Sequence, residues 1–309
     1  MSLEIKKGPQ ARSIRCIIYG PEGIGKSTLA SNFPEAVFID LEHGTDSMDV
    51  SRFTTPSNLA LFMDLLNSIA QEDVCKTVVI DTADRLEQIV TKYVCEKHQI
   101  RSIEDAGYGK GYTYLWETWQ EILKALDKVI DSGKNVVLVA HAQMRKFEQP
   151  DEMGAYDRWE LKLSKKTAPL IKEWSDMLLF CNYKNNIVED PKTKNRKAVG
   201  GKRVMYATHS PVYDAKNRFG LPDVMEMSFD EIGSIFKSPD EQKADIIDKI
   251  RALLKEANVA EDDLMAFLES KGQTEGVSLE EVPLRVLQFV FNNSEKIIKK
   301  IGGMTDEVD

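Results

Sequence analysis

Cysteine and histidine are scarce in this chain, whose 309 residues include four of each. The cysteines lie far apart in apolar segments, which excludes a disulfide framework and the close spacing of zinc ligands. These cysteines are Cys16, Cys75, Cys95 and Cys181. We expect all four to be reduced thiols of the protein core.

Long apolar runs and low-complexity tracts are also missing. No stretch approaches the roughly 18 consecutive apolar residues of a membrane span. The first residues lack an apolar core of signal-peptide length. We therefore expect a globular protein of the cytoplasm with no membrane partner.

The sequence has no excess of positive charge, because its net charge is -9. This charge argues against a protein that coats nucleic acid through bulk attraction. The acidic residues concentrate after Ser238, whereas the preceding part is nearly neutral and has local basic segments. Such a chain can still bind a polyanion locally. The acidic tail could compete with such a polyanion for basic loops, dock a partner or simply aid solubility.

A phosphate-binding motif is the most informative feature that the sequence does contain. Residues 20–27 fit G-x-x-x-x-G-K-[ST], after an apolar strand at 14–19 and before a helical segment. Because strand, glycine loop and helix follow in order, we favour this function over a chance match. Backbone N–H groups would surround the β-phosphate, and the helix would direct its positive end there. The predicted nucleotide-binding residues are Gly20, Pro21, Glu22, Gly23, Ile24, Gly25, Lys26, Ser27 and Thr28.

The order of apolar patterns predicts an α/β fold. Short Val/Ile-rich strands at 36–40, 77–81 and 136–140 alternate with helical patterns, which is typical of a mostly parallel sheet covered on both faces. Segments 177–181, 186–188 and 203–207 resemble closing strands, partly antiparallel. From Ser238 onward the pattern is helical only. We predict an α/β domain at 1–237 and a small acidic all-α domain at 238–309.

Polar residues end the predicted strands where an α/β sheet binds its ligand. Asp81 follows four apolar residues and would hold Mg²⁺ opposite Ser27, although a strand-end helix cap is the alternative. Glu42 is a candidate general base, or else a surface carboxylate. His141 would contact the γ-phosphate, or else have a structural role. Lys26 would reach the β- and γ-phosphates.

These residues resemble the RecA-type recombinase and motor ATPases. The segment 38–43 is similar to the RecA segment that carries the catalytic glutamate, and His141 falls where RecA has a polar switch residue. Residues 216–220 read KNRFG and resemble that motif of bacterial RadA and the equivalent segment of DnaB-type helicases. The resemblance implies that Lys216 and Arg218 reach the γ-phosphate of a neighbouring subunit. A solvated basic turn is the alternative.

Residues 10–235 resemble more closely a phage-encoded group of compact RecA-like ATPases, described as phage nucleotide-binding or single-strand-annealing proteins. The matching segments are the phosphate loop, 107–112, 140–141, 156–163 and 173–176. The resemblance implies a RecA-like P-loop core that uses ATP and Mg²⁺, self-associates around the nucleotide and binds single-stranded DNA. A single-strand-binding or other recombination protein is a further expected partner. The RecA oligomerisation segment is missing, which puts filament formation by that route in doubt.

Three segments are candidates for contact with DNA. Residues 107–119 interleave aromatic residues, lysine and glycine, which suits stacking and phosphate contact, although Trp119 is expected in the core. The segment after His141 is basic and includes Arg158. Residues 184–203 suggest a β-hairpin with a basic tip. Solvated loops are the alternative for each. The predicted contacts are Tyr108, Lys110, Tyr112, Arg145, Lys146, Lys194, Arg196 and Lys197.

We therefore expect a Mg²⁺-dependent ATPase that acts in phage DNA recombination or single-strand annealing, and whose turnover single-stranded DNA stimulates. The alternative is a nucleotide-gated binding module that hydrolyses ATP negligibly. A small-molecule kinase would leave the KNRFG-like segment unexplained.

Overall fold

The computed structural model describes residues 12–148, 154–189, 196–237, 239–274 and 278–305. The chain divides into two compact units, the first ending at Phe236 and the second beginning at Lys237. Each unit has a hydrophobic core of its own.

The first unit alternates strands and helices along the chain. Its first half comprises β1 Arg15–Gly20, α1 Lys26–Ala30, β2 Ala36–Asp40, β3 Ser51–Arg52, α2 Leu59–Gln71, β4 Thr77–Asp81, α3 Ala83–His98 and α4 Lys110–Asp131. Its second half comprises β5 Asn135–Glu148, β6 Ala155–Leu161, α5 Thr167–Trp174, β7 Met177–Glu189, β8 Arg196–Tyr206, β9 Lys216–Asn217 and β10 Val224–Glu226. Short 3₁₀ helices lie at Ile103–Ala106, Phe229–Glu231 and Gly233–Phe236.

The strands form one mixed sheet in the order β10-β8-β7-β1-β5-β4-β2-β3. All neighbours from β7 to β3 are parallel, whereas β7–β8 and β8–β10 are antiparallel. The predictions of a mostly parallel sheet and of partly antiparallel closing strands are therefore confirmed.

Helices cover both faces of this sheet. Side chains of a strand alternate between the two faces, so each buried strand contributes apolar residues to both. In β1, Ile17 and Tyr19 join a core that includes residues of α2, α3 and α4. Cys16 and Ile18 join a second core, on the other face, with Leu29 of α1. Trp119 of α4 is fully buried in the first core, as predicted.

The strand predicted at 136–140 is longer than its apolar run. It continues as β5 to Glu148, and residues 142–148 pair antiparallel with β6. This extension is half-exposed and rich in charged residues, so no run of Val or Ile marks it in the sequence. The prediction placed the basic segment after His141 without a strand; the described part of that segment is largely a β-hairpin.

The second unit is helical in all its regular described elements, which confirms the predicted all-α part. Its helices are α6 Pro239–Glu256, α7 Glu261–Ser270, α8 Leu284–Asn292 and α9 Ser294–Thr305. Their core includes the buried residues Leu264, Leu268 and Leu287. On the surface, Arg251 forms ion pairs with Glu261 and Glu280, at 2.8 and 2.9 Å.

No helix within the described ranges combines the length and the apolar character that crossing a membrane requires.

Gly111 in the first turn of α4 generates a test of the packing. A Cβ at Gly111 would lie 2.0 Å from the carbonyl oxygen of Ile103, which is backbone and cannot swing away. We expect Gly111→Ala to lower the free energy of unfolding by about 2 kcal/mol in urea titrations, because overpacking outweighs the gain in helix propensity. Gly44→Ala is the control, since no atom lies within 4 Å of its Cβ position. A Gly111→Ala protein as stable as wild type would contradict this packing.

Candidate nucleotide-binding site

The phosphate loop leaves the end of β1 and leads into α1. Gly20 lies so close to β7 that a Cβ would be 2.2 Å from the carbonyl oxygen of Cys181. Gly25 has φ 105°, a conformation that favours glycine. The Lys26 ammonium group donates hydrogen bonds to the carbonyl oxygens of Gly20, at 3.1 Å, and Pro21, at 2.8 Å. Burial lowers the pKa of Lys26 from its ordinary value.

Ser27 of α1 and Asp81 of β4 meet although β1, the strand that leads into the phosphate loop, is not a neighbour of β4. β5 lies between β1 and β4, and the Ser27 hydroxyl donates a 2.6 Å hydrogen bond across this gap to Asp81 Oδ2. Burial raises the pKa of Asp81, and the negative charges of Asp40 and Glu42 add to this effect. The hydrogen bond from Ser27 opposes the rise. Asp81 is only 4% exposed, so its carboxylate is poorly solvated.

This pair of oxygens fits a hard divalent cation. Mg²⁺ prefers oxygen ligands and is commonly held by one or two protein groups together with substrate phosphates. A hydroxyl and a carboxylate already in contact, with two further carboxylates nearby, form a site of excess negative charge. Ser27 and Asp81 are the residues that would hold the ion.

Asp40 organises the loop after β2 that carries Glu42. Its carboxylate accepts backbone N–H bonds from Glu42, Gly44 and Thr45, at 3.0, 3.3 and 2.8 Å, and the Thr45 hydroxyl at 2.6 Å. Burial alone would raise the pKa of Asp40, but these hydrogen bonds together lower it. No role was predicted for Asp40, although an aspartate before a short polar turn is a known turn signal.

The Glu42 carboxylate is exposed and points back to the sheet. Its Oε1 accepts a 2.7 Å hydrogen bond from the hydroxyl of Thr82, the residue that follows β4. Thr82 also caps α3 through the backbone N–H of Arg85. One hydroxyl thus ties Glu42 to the strand end that carries Asp81.

His141 is held by Asp84, a residue that the sequence analysis missed. Asp84 accepts the backbone N–H of His141 at 3.0 Å, and its second oxygen lies 2.9 Å from His141 Nδ1. The hydrogen bond with Asp84 raises the pKa of His141, and burial opposes the rise. For Asp84, burial would raise the pKa, but the bonds from His141 lower it overall. In the sequence, Asp84 resembles an ordinary acidic residue in the first turn of a helix.

The sheet register brings these groups to one edge. Gly20 pairs with His141 across β1 and β5, and Asp81 pairs with Val139 across β4 and β5. One side-chain ligand atom from each of Glu42, Asp84 and His141 lies within 4.8 Å of the others. The loop, the Ser27–Asp81 pair and these residues therefore form a single polar cluster at the carboxyl ends of the parallel strands, the place where an α/β sheet binds its ligand.

Lys216 and Arg218 have partners within their own chain. Lys216 donates to the carbonyl oxygens of Lys172 and Glu173, at 3.1 and 3.0 Å, and so caps the C-terminal end of α5. Arg218 forms a 2.8 Å ion pair with Asp176, yet more than half of its side chain is exposed. The role of these two residues at a neighbouring subunit stays a prediction.

The segment predicted as an aromatic DNA-binding loop is mostly helix. α4 begins at Lys110, and Tyr112 is a half-buried helical residue whose hydroxyl donates to Glu104 at 2.7 Å. The glycines at the start of this segment were interpreted as part of a loop, whereas Gly109 is the N-cap of the helix. Tyr108 precedes it with φ 47° and is fully exposed.

The basic residues predicted to contact DNA differ in how exposed their side chains are. Arg145 donates to the carbonyl oxygen of Leu163 at 3.1 Å, whereas Lys146 is exposed. Arg158 is buried and pairs with Asp214, so the expectation that it contributes to a DNA-binding surface is wrong.

The third predicted segment forms the hairpin of β7 and β8, as expected. Lys194 lies outside the described residues. Arg196 and Lys197 begin β8, but their side chains fall outside the described part of the chain.

The Asp84–His141 pair predicts a pH-dependent contribution to stability. Because the pKa of His141 is raised in the folded protein, this residue contributes fully to the free energy of unfolding below pH 6.5, the ordinary His pKa. The contribution is lost as pH rises through the folded-state pKa. Because the pKa of Asp84 is lowered, this residue contributes to the free energy of unfolding at pH values above its ordinary pKa of 3.8, and the contribution is lost as pH falls through the folded-state pKa. We expect Asp84→Asn to lower the free energy of unfolding by about 2 kcal/mol near pH 6 and by less at alkaline pH.

Urea titrations over this pH range measure the effect. Glu96→Gln on the same helix α3 is the control, because the Glu96 side chain is exposed and forms an ion pair with the exposed Lys92. A loss of stability in Asp84→Asn that did not change with pH would contradict a charged pair.

Comparisons with known proteins found one curated relative, two solved structures and a family model that are similar to part of the chain. A curated relative, the SPbeta prophage-derived uncharacterized protein YorG of Bacillus subtilis (strain 168), is 26% identical over 196 residues. The match covers 61% of this chain and 55% of that protein, so the chain spans about half the length of this relative.

Two solved structures are similar to part of the chain. They are a KaiC-like protein, PH0186, from Pyrococcus horikoshii OT3 and the flagellar accessory protein FlaH from Methanocaldococcus jannaschii. Their identities are 13% and 11%, with TM-scores of 0.35 and 0.34. Each covers 63% of this chain, and the matches cover 78% and 77% of those chains. Likenesses at this level carry no functional argument.

The family match is more extensive. Residues 12–219, which include the phosphate loop and every residue of the polar cluster, match the family model AAA_24, described as an AAA domain. The chain therefore belongs to this AAA-domain family of P-loop nucleotide-binding ATPases.

Proposed function

We propose that the first unit is a Mg²⁺-dependent ATPase and that its turnover serves phage DNA recombination or single-strand annealing. The observation that carries the proposal is the 2.6 Å contact of Ser27 with Asp81 beside the phosphate loop. Glu42, which Thr82 holds at the same sheet edge, supplies a carboxylate for chemistry at that place.

Each residue has a separate task in this mechanism. The backbone N–H groups of the loop bind the phosphates, and Lys26 exchanges its carbonyl partners for phosphate oxygens. Ser27 and Asp81 would hold Mg²⁺, which would supply positive charge against the negative charge of the phosphates. Glu42 accepts a proton from the attacking water. His141, kept as a donor by Asp84, hydrogen-bonds the γ-phosphate and senses its loss.

We propose self-association as part of the same activity. Lys216 and Arg218 would then contact the nucleotide of a neighbouring copy, where their charges stabilise the transferring phosphoryl group. The exposure of Arg218 supports this role, since the side chain can leave Asp176 for a stronger anion. For this contact, the Lys216 ammonium group would have to leave the carbonyl oxygens of α5. If it stays bound to them, its role is to help position Arg218.

DNA binding rests on different residues. Tyr108 is an exposed aromatic side chain on a glycine-flanked turn, two residues before the exposed Lys110. An exposed ring beside a cation suits base stacking combined with phosphate contact. Lys146 on the β5–β6 hairpin adds a second exposed cation. A single-strand-binding or other recombination protein is the partner class that such an activity would meet.

Replacing Glu42 tests the ATPase. We expect Glu42→Gln to bind ATP with nearly unchanged affinity but to hydrolyse it about 100-fold more slowly, because general-base catalysis contributes on this scale. Steady-state phosphate release and equilibrium ATP binding measure the two effects. Lys26→Ala should lose both binding and turnover.

Glu121→Gln is the matched control, since Glu121 is an exposed carboxylate of α4. Equal turnover by Glu42→Gln and wild type would remove Glu42 from the mechanism. Tight ATP binding by a wild-type protein that does not hydrolyse ATP would instead support a nucleotide-gated binding module.

Replacing Tyr108 tests the DNA contact. We expect Tyr108→Ala to weaken binding of a fluorescent oligothymidylate by about tenfold, which corresponds to the loss of one stacked base. Fluorescence anisotropy at low and at physiological salt measures this affinity. Phe289→Ala is the control, because Phe289 is an exposed aromatic residue of the second unit. An unchanged affinity in Tyr108→Ala would exclude stacking on this ring.

A further inference from the structure

Asp214 is a buried carboxylate that none of the tasks assigned above uses. It is 7% exposed and lies between β8 and β9, two residues before Lys216 in the sequence. Its carboxylate accepts hydrogen bonds from the Arg158 guanidinium group of β6 and, at 2.8 Å, from the Lys172 ammonium group of α5. One side chain thus binds cations from two separate elements of the fold.

We propose that Asp214 is a positioning residue. It holds residues 214–218, here called the cation segment, so that Lys216 and Arg218 are presented to a neighbouring copy. The proposal rests on the proposed role of these two cations at the nucleotide of that copy. Asp214 itself touches no nucleotide, and it acts only through the placement of the cation segment.

Regular structure alone holds the cation segment weakly. β9 consists of 2 residues, Lys216 and Asn217, which pair with Leu178 and Met177 of β7. Strands in globular proteins usually have about 3–10 residues, so such a short ladder offers few hydrogen bonds to fix the register. The cation segment therefore depends on side chains for its position.

The backbone of Asp214 is anchored as well as its side chain. Its carbonyl oxygen accepts a 2.6 Å hydrogen bond from the hydroxyl of Tyr19, which is fully buried and directly precedes the phosphate loop. Just before Asp214, the carbonyl oxygen of Val212 accepts the backbone N–H of Trp159 at 2.8 Å. Trp159 belongs to β6, which pairs with the part of β5 that follows His141. The chain therefore reaches the cation segment along a path fixed by β1 and β6, two strands beside the polar cluster.

Lys172 connects Asp214 with Lys216. The ammonium group of Lys172 binds Asp214, and its carbonyl oxygen accepts a 3.1 Å hydrogen bond from the Lys216 ammonium group. A shift of Asp214 relative to α5 would therefore move the segment that carries Lys216. Arg218, at the end of the cation segment, keeps more than half of its side chain exposed. The arrangement fixes the backbone and leaves the guanidinium group accessible to an anion.

Stability alone does not explain a buried ion pair at this position. Asp214 and Arg158 are both buried, and a buried ion pair rarely adds net stability over apolar residues of similar volume. It does disfavour other arrangements of the chain, because each of them would leave a buried charge without its partner. The consequence here is a single position for the cation segment relative to β6 and α5.

Two substitutions test the positioning role. Asp214→Asn removes the carboxylate charge but leaves the buried Arg158 without a counter-charge, which lowers stability. Lys172→Met protects the test against misfolding, because it removes a partly exposed cation and keeps the pair of Asp214 with Arg158. We expect both variants to bind ATP as wild type does and to lower kcat about tenfold or more, since small displacements of a charge-stabilising group have large effects on rate.

Phosphate release under associating conditions gives kcat, calorimetry gives the ATP affinity, and urea titrations verify folding. Lys124→Met is the control, because Lys124 is an exposed lysine of α4, a helix that packs against α5. Wild-type kcat in the folded variants, or a loss of ATP affinity as large as the loss of kcat, would overturn the proposal.

A protein without the two cations separates positioning from a general structural role. In the double variant Lys216→Ala/Arg218→Ala, adding Lys172→Met should cause no further loss of kcat, because residues that act through one another are not additive. A further loss as large as that seen in the wild-type background would show that Lys172 and Asp214 act by another route, and would overturn the proposal.

Two other results would overturn the proposed function itself. Wild-type turnover by Lys216→Ala/Arg218→Ala would remove these cations from the mechanism, and the positioning role with them. A wild-type protein that does not hydrolyse ATP would remove the ATPase. Both results differ from a failure of the positioning role alone, because they concern proteins in which Asp214 and Lys172 are unchanged.

Discussion

The contact between Ser27 and Asp81 is the constraint on which the site depends. It joins the end of the phosphate loop to the end of a strand two positions away in the sheet. The parallel register of β1, β5 and β4 makes this possible, because it sets His141 between the two residues at the same edge. A sheet with β1 and β4 adjacent would leave no place for His141 in the cluster.

Charge balance follows from this arrangement. Asp40 and Asp84 are buried carboxylates whose pKa values are lowered because hydrogen bonds outweigh burial. Asp81 differs, since burial dominates and its neighbours are also acidic, so its pKa is raised. The structure thus satisfies the carboxylates that shape the loops and leaves an excess of negative charge at the place where the proposed cation belongs.

Much of the fold and part of the site could be predicted from the sequence. The runs of Val and Ile located the central strands because both faces of the sheet are buried, and a polar residue at each strand end located the cluster. Asp84 escaped prediction because its partner, His141, is distant in the chain. The β5–β6 hairpin escaped because its alternation is weak, and Gly109 suggested a loop where it caps a helix.

The measurement that tests the central claim most directly is steady-state ATP hydrolysis titrated with Mg²⁺, for wild type and for Asp81→Asn, with circular dichroism to verify folding. The account predicts saturable, Mg²⁺-dependent turnover in wild type and a much weaker Mg²⁺ response in the variant. Hydrolysis that persists in excess EDTA, or a variant with the Mg²⁺ dependence of wild type, would contradict it.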